Sequence, residues 1–151
     1  MSDVNLLGAD VTWDEGDLPG YNCGYLRVGP LIGAKDLGLT VYELPPGQSI
    51  CPYHYEHGFD EWLIVLGGTP TLRSPDGEQE LRPWDMAFFP DGEDGAHKVL
   101  NRTEEHVRVA ILSNKGLPSS AIYPDSDKLG VWPDGKIFRL ADAVDYYDGE
   151  I

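Results

Sequence analysis

The chain is poor in cysteine and has no long apolar run. Only Cys23 and Cys51 occur among 151 residues, too few for a disulfide framework. The longest apolar run is far too short to cross a bilayer. The acidic N-terminus lacks the basic segment and following apolar stretch that mark a signal peptide. We therefore expect a cytoplasmic protein with reduced thiols and no membrane partner.

Basic side chains are also scarce. The chain has 11 Lys and Arg against 26 Asp and Glu, which gives a net charge of -15. Such a surface repels phosphate, so we expect no nucleic-acid partner. The excess of acid favours solubility, and it could also help a cation to reach a site. Internal repeats at solenoid spacing are absent, which excludes a repeat architecture.

Proline and glycine, in contrast, are plentiful, with 12 and 18 copies. This composition favours many short strands joined by turns. From Asn22 to Ser113 the chain has strand-like segments at regular spacing, and Pro75-Asp76-Gly77 is a strong hairpin signal. The segments are YLRV (25–28), LTVYEL (39–44), WLIVL (62–66), TPTLRS (69–74), EQELR (78–82), MAFF (86–89), HKVLN (97–101) and HVRVAIL (106–112). The pattern predicts an all-β protein, an antiparallel sandwich or barrel.

The domain organisation is predicted to be simple. The length suits one domain over residues 1–151, with an N-terminal arm (1–30) and a turn-rich C-terminal extension (114–151) around the core. The last residues, LADAVDYYDGE, could form a short helix or an extended arm. WLIVL is apolar on both faces and predicts a buried strand, and we expect Trp62 and Phe88 to fill the core.

Two histidines and three acids lie between His54 and Glu61, directly before that apolar strand. His54 and Glu56 are two residues apart, so on a strand they share a face, whereas His57 points outward. Glu61 begins one strand segment and His97 begins another. The four side chains could therefore converge at one end of a packed barrel.

Imidazole and carboxylate are ligands for Mn, Fe, Ni, Co and Zn ions. We expect a divalent metal site formed by His54, Glu56, Glu61 and His97. Two histidines and two carboxylates would leave a divalent cation roughly neutral, and this oxygen-rich set favours Mn or Fe over Zn or Ni. Cys51 is interpreted as a small core residue.

The spacing of these residues resembles the two signatures of the cupin superfamily. Gly47, His54, Glu61 and Gly68 occupy positions of the first signature, and the second is matched by Pro90, Gly92, His97 and Asn101. A short spacer, residues 69–83, separates them, and the resemblance covers about residues 38–113. It implies a double-stranded β-helix, or jelly-roll barrel, with a metal at its mouth.

The chain departs from the signatures at several positions. Glu56 occupies the place of the second histidine, and six residues instead of five separate Gly47 from His54. Trp84 stands where the second signature begins with glycine. Four residues instead of two separate Gly92 from His97, which predicts a longer bend there.

The resemblance implies a metal-binding cupin with a small-molecule ligand. We expect a metalloenzyme that acts on a small organic molecule; isomerase, dioxygenase and decarboxylase types stay open, and no catalytic residue is assigned. The alternative is a non-catalytic cupin that binds or senses a small molecule, which the change to Glu56 favours. Exposed β edges and the habit of the family predict a homodimer.

Overall fold

The computed structural model describes residues 3–13, 18–114 and 116–151. One short α-helix, α1 (Val28–Ile32), and three 3-10 helices at Glu93–Gly95, Pro124–Ser126 and Leu140–Asp142 are the helical elements of these residues. All other elements are strands: β1 (Thr12–Trp13), β2 (Gly24–Arg27), β3 (Leu37–Leu44), β4 (Tyr55–His57), β5 (Glu61–Gly67), β6 (Thr71–Ser74), β7 (Gly77–Glu80), β8 (Met86–Phe89), β9 (Lys98–Leu100), β10 (Val107–Asn114), β11 (Ser119–Tyr123), β12 (Lys128–Trp132) and β13 (Lys136–Arg139). This composition confirms the all-β prediction. Among the described residues, no helix is long and apolar enough to span a bilayer.

The strands form three antiparallel sheets. The largest has the order β1-β2-β3-β10-β5-β8, a second has the order β13-β12-β11-β4, and the smallest has the order β7-β6-β9. The longest ladder joins β3 to β10, from Leu44 opposite Val107 to Leu37 opposite Asn114. Since β5 pairs with the other side of β10, these three strands form the rigid centre of the large sheet.

The main core lies between the large sheet and the smallest one. Leu63 and Val65 of β5 and Val107 and Val109 of β10 are fully buried in it. Their alternation with outward-facing residues is the period of two that a strand imposes. Burial of each such side chain contributes about 1.5–3 kcal/mol, so this layer supplies much of the stability that positions the loops above it.

The prediction that Trp62 and Phe88 fill the core is wrong. Trp62 is 43% exposed and Phe88 is 54% exposed, and their rings meet edge to face at 6.0 Å on the outer face of the large sheet. A second cluster on that face is covered by Val4 and Leu6 and includes Ile64. The apolar sequence of β5 predicts burial on both faces. The N-terminal residues Val4 and Leu6 cover the part of this face near Ile64, so Trp62 and Phe88 stay exposed.

Two turns, at Gly77 and at Trp84, connect β6 to β7 and β7 to β8. The predicted hairpin joins β6 to β7, with Gly77 at φ 113°. Trp84, in place of the glycine of the signature, adopts φ 74°, a left-handed backbone that L-residues seldom take. Its N–H donates to the Val65 carbonyl at 2.8 Å, and its side chain is 70% exposed. The turn at Trp84 therefore forms although tryptophan replaces the glycine of the signature.

The C-terminal extension contains more strand than its sequence suggests. It has turns around Pro124–Ser126 and at residues 133–135, and it also forms β11, β12 and β13. β11 pairs with β4, and Ala121 lies opposite Glu56. After the short 3-10 helix Leu140–Asp142, residues 143–151 are exposed. The extension therefore supplies a neighbouring strand to the segment that carries Glu56.

Asn101 links β9, β3 and the loop before β10. Its side chain is almost fully buried, and its Nδ2 donates to the carbonyls of Leu44 at 2.9 Å and Glu105 at 2.7 Å. Its Oδ1 accepts from the N–H of Thr103 at 2.9 Å. The amide thereby satisfies backbone groups that a strand ladder does not pair.

We expect the Asn101→Ala substitution to lower the free energy of unfolding by about 3 kcal/mol, because it leaves several buried backbone groups without partners. Urea denaturation measures the change. The control is Asn22→Ala, which truncates an exposed side chain and should change stability by less than about 0.5 kcal/mol. Equal stabilities of the two variants would contradict this role of Asn101.

Candidate metal centre

Two histidines from distant parts of the sequence meet at the end of the core. His54 N–H donates to the His97 carbonyl at 3.1 Å, and His97 N–H donates to the His54 carbonyl at 2.8 Å. This isolated antiparallel bridge brings the two ring centroids to 4.8 Å. Both residues are buried, at 7% and 2% exposure.

Both imidazoles are held by backbone carbonyls through the same ring nitrogen. His54 Nδ1 lies 3.0 Å from the Pro52 carbonyl oxygen, and His97 Nδ1 lies 2.9 Å from that of Gly95. A carbonyl only accepts, so each Nδ1 carries the proton and each Nε2 keeps its lone pair. This tautomer is the one that a metal-binding histidine uses when Nε2 is the ligand.

Two carboxyl groups face those Nε2 atoms. Glu61 Oε2 lies 3.5 Å from His97 Nε2, and Glu56 Oε1 lies 3.9 Å from His54 Nε2. Both distances exceed a normal hydrogen bond to nitrogen. Donor atoms that share one ion at about 2.1 Å are separated by about 3 to 4 Å, so the spacing fits a shared cation.

His54, Glu61 and His97 form a group that could hold a metal ion, with their ligand atoms within 4.8 Å of one another. These are three of the four predicted ligands. Glu56 lies beside this group without belonging to it, and its role as the fourth ligand stays a prediction. We call the three residues the metal group.

Burial determines the charge state of the centre. It raises the pKa of Glu56 to about 8, with a contribution from the charge of Glu61, and raises the pKa of Glu61 to about 7. It also lowers the pKa of His54, and it lowers that of His97 to about 3, with a further contribution from His54. The imidazoles therefore stay neutral, as metal ligands must be, and no described residue supplies a positive charge that lowers the pKa of either carboxyl.

The surroundings of one carboxyl oxygen, Glu56 Oε2, indicate whether these residues fit a cation. Glu56 Oε2 is buried and has no hydrogen-bond partner among the described residues. A buried carboxyl oxygen without a partner costs about 1–3 kcal/mol, and the groups close to it are metal-binding in type. The donor set of two neutral imidazoles and two carboxyls therefore fits a divalent cation.

Aromatic rings pack against the two imidazoles. Phe89 stacks on His97 with ring centroids 3.7 Å apart, and Tyr123 stacks on His54 at 5.8 Å. Sequence reasoning missed Tyr123, because the YPDSD stretch is typical of a turn. One sequence signal could have indicated it: the strand-like SSAIY segment ends at Tyr123, and this segment pairs with β4.

His57 faces away from the centre, as strand parity predicts. It is exposed, and its Nδ1 lies 3.0 Å from Asp91 Oδ1. Asp91 Oδ2 also accepts from the Gly58 N–H at 2.8 Å. His57 therefore ties the loop after β4 to the loop after β8. The longer bend predicted between Gly92 and His97 contains a 3-10 helix, Glu93–Gly95.

Two cavities border the centre. The larger, of about 480 Å³, has Tyr42 and Cys51 in its lining, and Cys51 Sγ lies 3.5 Å from His54 Nδ1. The smaller, of about 360 Å³, is lined by Glu56 and apolar residues such as Trp132. Each is large enough for a small organic molecule, and the smaller one is lined by a predicted ligand, Glu56.

The strand-built fold places two buried histidines and the partly buried Glu61 at one end of its core, where they could hold a metal ion. This fold and group are typical of one class of β-protein, which comparison with known proteins identifies. A family model described as the cupin domain matches residues 40–113. Residues 40–113, about half of the chain, therefore form a cupin domain. No match to the chain was found among curated proteins.

Solved structures share this fold. A cupin-superfamily protein from Silicibacter pomeroyi described as a sugar phosphate isomerase is 23% identical, with a TM-score of 0.81 over 97% of this chain and 98% of the other. The polyketide cyclase RemF from Streptomyces resistomycificus is 26% identical, with a TM-score of 0.62 over 79% and 83% of the two chains. A cupin conserved barrel domain protein from Salinispora arenicola is 22% identical, with a TM-score of 0.58 over 76% and 89%. These likenesses confirm the predicted jelly-roll class.

Gly95 holds the carbonyl that orients His97, and its backbone passes very close to Pro90. A Cβ at Gly95 would overlap the Pro90 carbonyl oxygen at 1.9 Å. We expect Gly95→Ala to lower the free energy of unfolding by about 2 kcal/mol or more, because the backbone must shift. Thermal and urea denaturation measure the effect.

The matched control is Gly67→Ala, since a Cβ at Gly67 meets nothing within 4 Å. It should leave stability unchanged or raise it by less than about 1 kcal/mol. A Gly95→Ala variant as stable as Gly67→Ala would contradict the close approach at Pro90.

Proposed function

We propose that the chain is a metal-dependent cupin enzyme that acts on a small organic molecule. His54, Glu61 and His97 hold a divalent cation, and Glu56 is its fourth ligand. The observation that carries the proposal is the pair of buried imidazoles, each with Nδ1 bound to a backbone carbonyl and Nε2 turned to a carboxyl group. A structural role would need neither that tautomer nor those acids.

The oxygen-rich donor set favours Mn or Fe, with Zn or Ni as the other candidates. When bound, such an ion can polarise a carbonyl, activate water or, as iron, bind dioxygen. The chain's own residues orient the ligands and exclude water: Phe89 and Tyr123 cover the imidazoles, and the apolar core closes the inner side. The reaction type stays open among isomerase, dioxygenase and decarboxylase.

The second candidate is a cupin that binds or senses a small molecule without turnover. Glu56 at the place of the second histidine supports it, because a changed donor set can retain binding while it loses chemistry. The likeness to a polyketide cyclase at 26% identity supports the enzyme instead. An assay of metal-loaded protein with small carbonyl compounds separates the two candidates. The enzyme should turn them over faster than the His97→Ala variant, whereas a binding protein should show no turnover above that variant.

We expect the protein to bind about one equivalent of Mn²⁺ or Fe²⁺ and the His97→Ala variant to bind at least about 100-fold more weakly, because a ligand is lost. Glu56→Gln should weaken binding by about tenfold, since the amide oxygen carries no charge. Titration calorimetry and elemental analysis of the purified proteins provide the measurements.

The matched control for this series is His106→Ala. His106 is exposed and pairs with Glu43 at 2.9 Å on the surface, so its loss should not change metal binding. If His97→Ala and His106→Ala bound the metal equally well, the assignment of the metal group would be wrong.

We further propose one domain over residues 1–151 and a cytoplasmic location. Support for one domain comes from the centre itself, which draws residues from the segment matched by the family model and, through Tyr123, from the C-terminal extension. Support for a reducing compartment comes from the cysteine content, since Cys23 and Cys51 are the two cysteines of the chain and are too few for a disulfide framework.

We also propose a homodimer that uses the outer edge of β8. This strand ends the large sheet, and Met86, Phe88 and the neighbouring Trp62 are all more than two fifths exposed. An unpaired edge beside an apolar surface favours association with a second copy. We expect light scattering to give the mass of a dimer and Phe88→Asp to shift it towards monomer. The control is Phe138→Asp on β13, which is 48% exposed; a wild-type monomer would refute the proposal.

A further inference from the structure

The larger cavity beside the metal group has a lining that contrasts with the charge of the chain. Its volume of about 480 Å³ lies within the usual range for small-molecule sites. Arg27 is the one charged side chain among the described residues that line it, although the chain carries a net charge of -15. A lining in which the described residues supply one guanidinium and no carboxylate is suited to an anion.

Alternate residues of one extended segment form a wall of this cavity. Tyr21, Cys23, Tyr25 and Arg27 all line it, because side chains two residues apart on a strand share a face. Cys23 is buried, Tyr25 is partly buried and Arg27 is exposed. The wall therefore runs from the core to the rim, with its positive charge at the outer end.

Aromatic rings line the middle of the cavity. Tyr25 lies directly opposite Tyr42 in the ladder between β2 and β3, and the guanidinium carbon of Arg27 lies 5.6 Å from the centroid of the Tyr25 ring. Burial raises the pKa of Tyr42 to about 12, so its hydroxyl stays protonated and can donate a hydrogen bond. A flat apolar body that lies against these rings would be well packed.

The inner end of the cavity approaches His54 from its Nδ1 side. Cys51 belongs to the lining, and its Sγ lies 3.5 Å from His54 Nδ1, whereas His54, Glu61 and His97 themselves are not part of the lining. The smaller cavity is less suitable for an anion, because Glu56 lines it and no basic residue does so among the described ones. The larger cavity therefore offers a cation at the rim and aromatic rings in the middle, and it ends behind the imidazole of His54.

We infer that this cavity binds a small aromatic carboxylic acid, with Arg27 on the carboxylate and the ring packed against Tyr25 and Tyr42. This inference goes beyond the proposed function, since the lining of the cavity is separate from the metal group. Arg27 is a binding residue that holds the acid at the rim.

The test compares benzoate, its neutral counterpart benzamide, and acetate in titrations of metal-loaded protein followed by NMR. We expect benzoate to bind at least about tenfold more tightly than either of the others, since a charge-assisted contact and a packed ring are both needed. Arg27→Gln should weaken benzoate binding by about tenfold and leave benzamide binding within about twofold. Arg27→Lys should lie between wild type and Arg27→Gln.

The matched control is Arg139→Gln, which removes the same charge from the exposed strand β13, outside this lining. It should bind benzoate like the wild type. Equal binding of benzoate and benzamide, no binding of benzoate at millimolar concentration, or equal effects of Arg27→Gln and Arg139→Gln would each overturn the inference.

Metal analysis of the same samples separates this inference from the proposed function. Benzoate binding that depends on Arg27 in a protein that takes up no metal would support the acid site and refute the metal centre. Normal metal uptake without such binding would refute the acid site alone.

Discussion

Two backbone hydrogen bonds between His54 and His97 are the constraint on which the rest of the centre depends. They join segments far apart in sequence, so the entropy of closing the loop between them must be offset by the sheets on either side. Once joined, the two residues place both imidazoles at the edge of the core. The carbonyls of Pro52 and Gly95 then set the ring orientations, and the short helix at Glu93–Gly95 supplies one of these carbonyls.

That arrangement has an electrostatic consequence. Four ionisable groups lie close together where water is largely excluded. Burial is the main cause that drives the carboxyls towards their protonated form and the imidazoles towards neutrality, and the neighbouring groups Glu61 and His54 add to it. A divalent cation reverses this preference for Glu56 and Glu61, because it stabilises the ionised carboxylates and uses the neutral imidazoles as ligands. The polar centre is therefore understandable as a binding site, whereas a packed structural core would gain nothing from these groups.

The sequence could predict those features that depend on the two-residue period of a β-strand. His54 and Glu56 share a strand face, His57 points away, and the strand β8 has the predicted bounds, Met86–Phe89. The exposure of Trp62 and the pairing of β11 with β4 were not predictable, because they depend on which distant segment covers a given face. Tyr123 was missed for the same reason, since nothing near it in sequence indicates contact with His54.

The pairing of β11 with β4 divides the centre between two parts of the chain. The imidazoles and Glu61 belong to the segment that the family model matches, whereas Tyr123 and the strand beside Glu56 come from beyond residue 113. Substitutions in the extension can therefore reshape one wall of the site while the ligands and the main core stay in place. Relatives with identical signatures could diverge in selectivity through this appended sheet, so evolutionary change in preference need not leave any trace in the motifs by which the superfamily is detected.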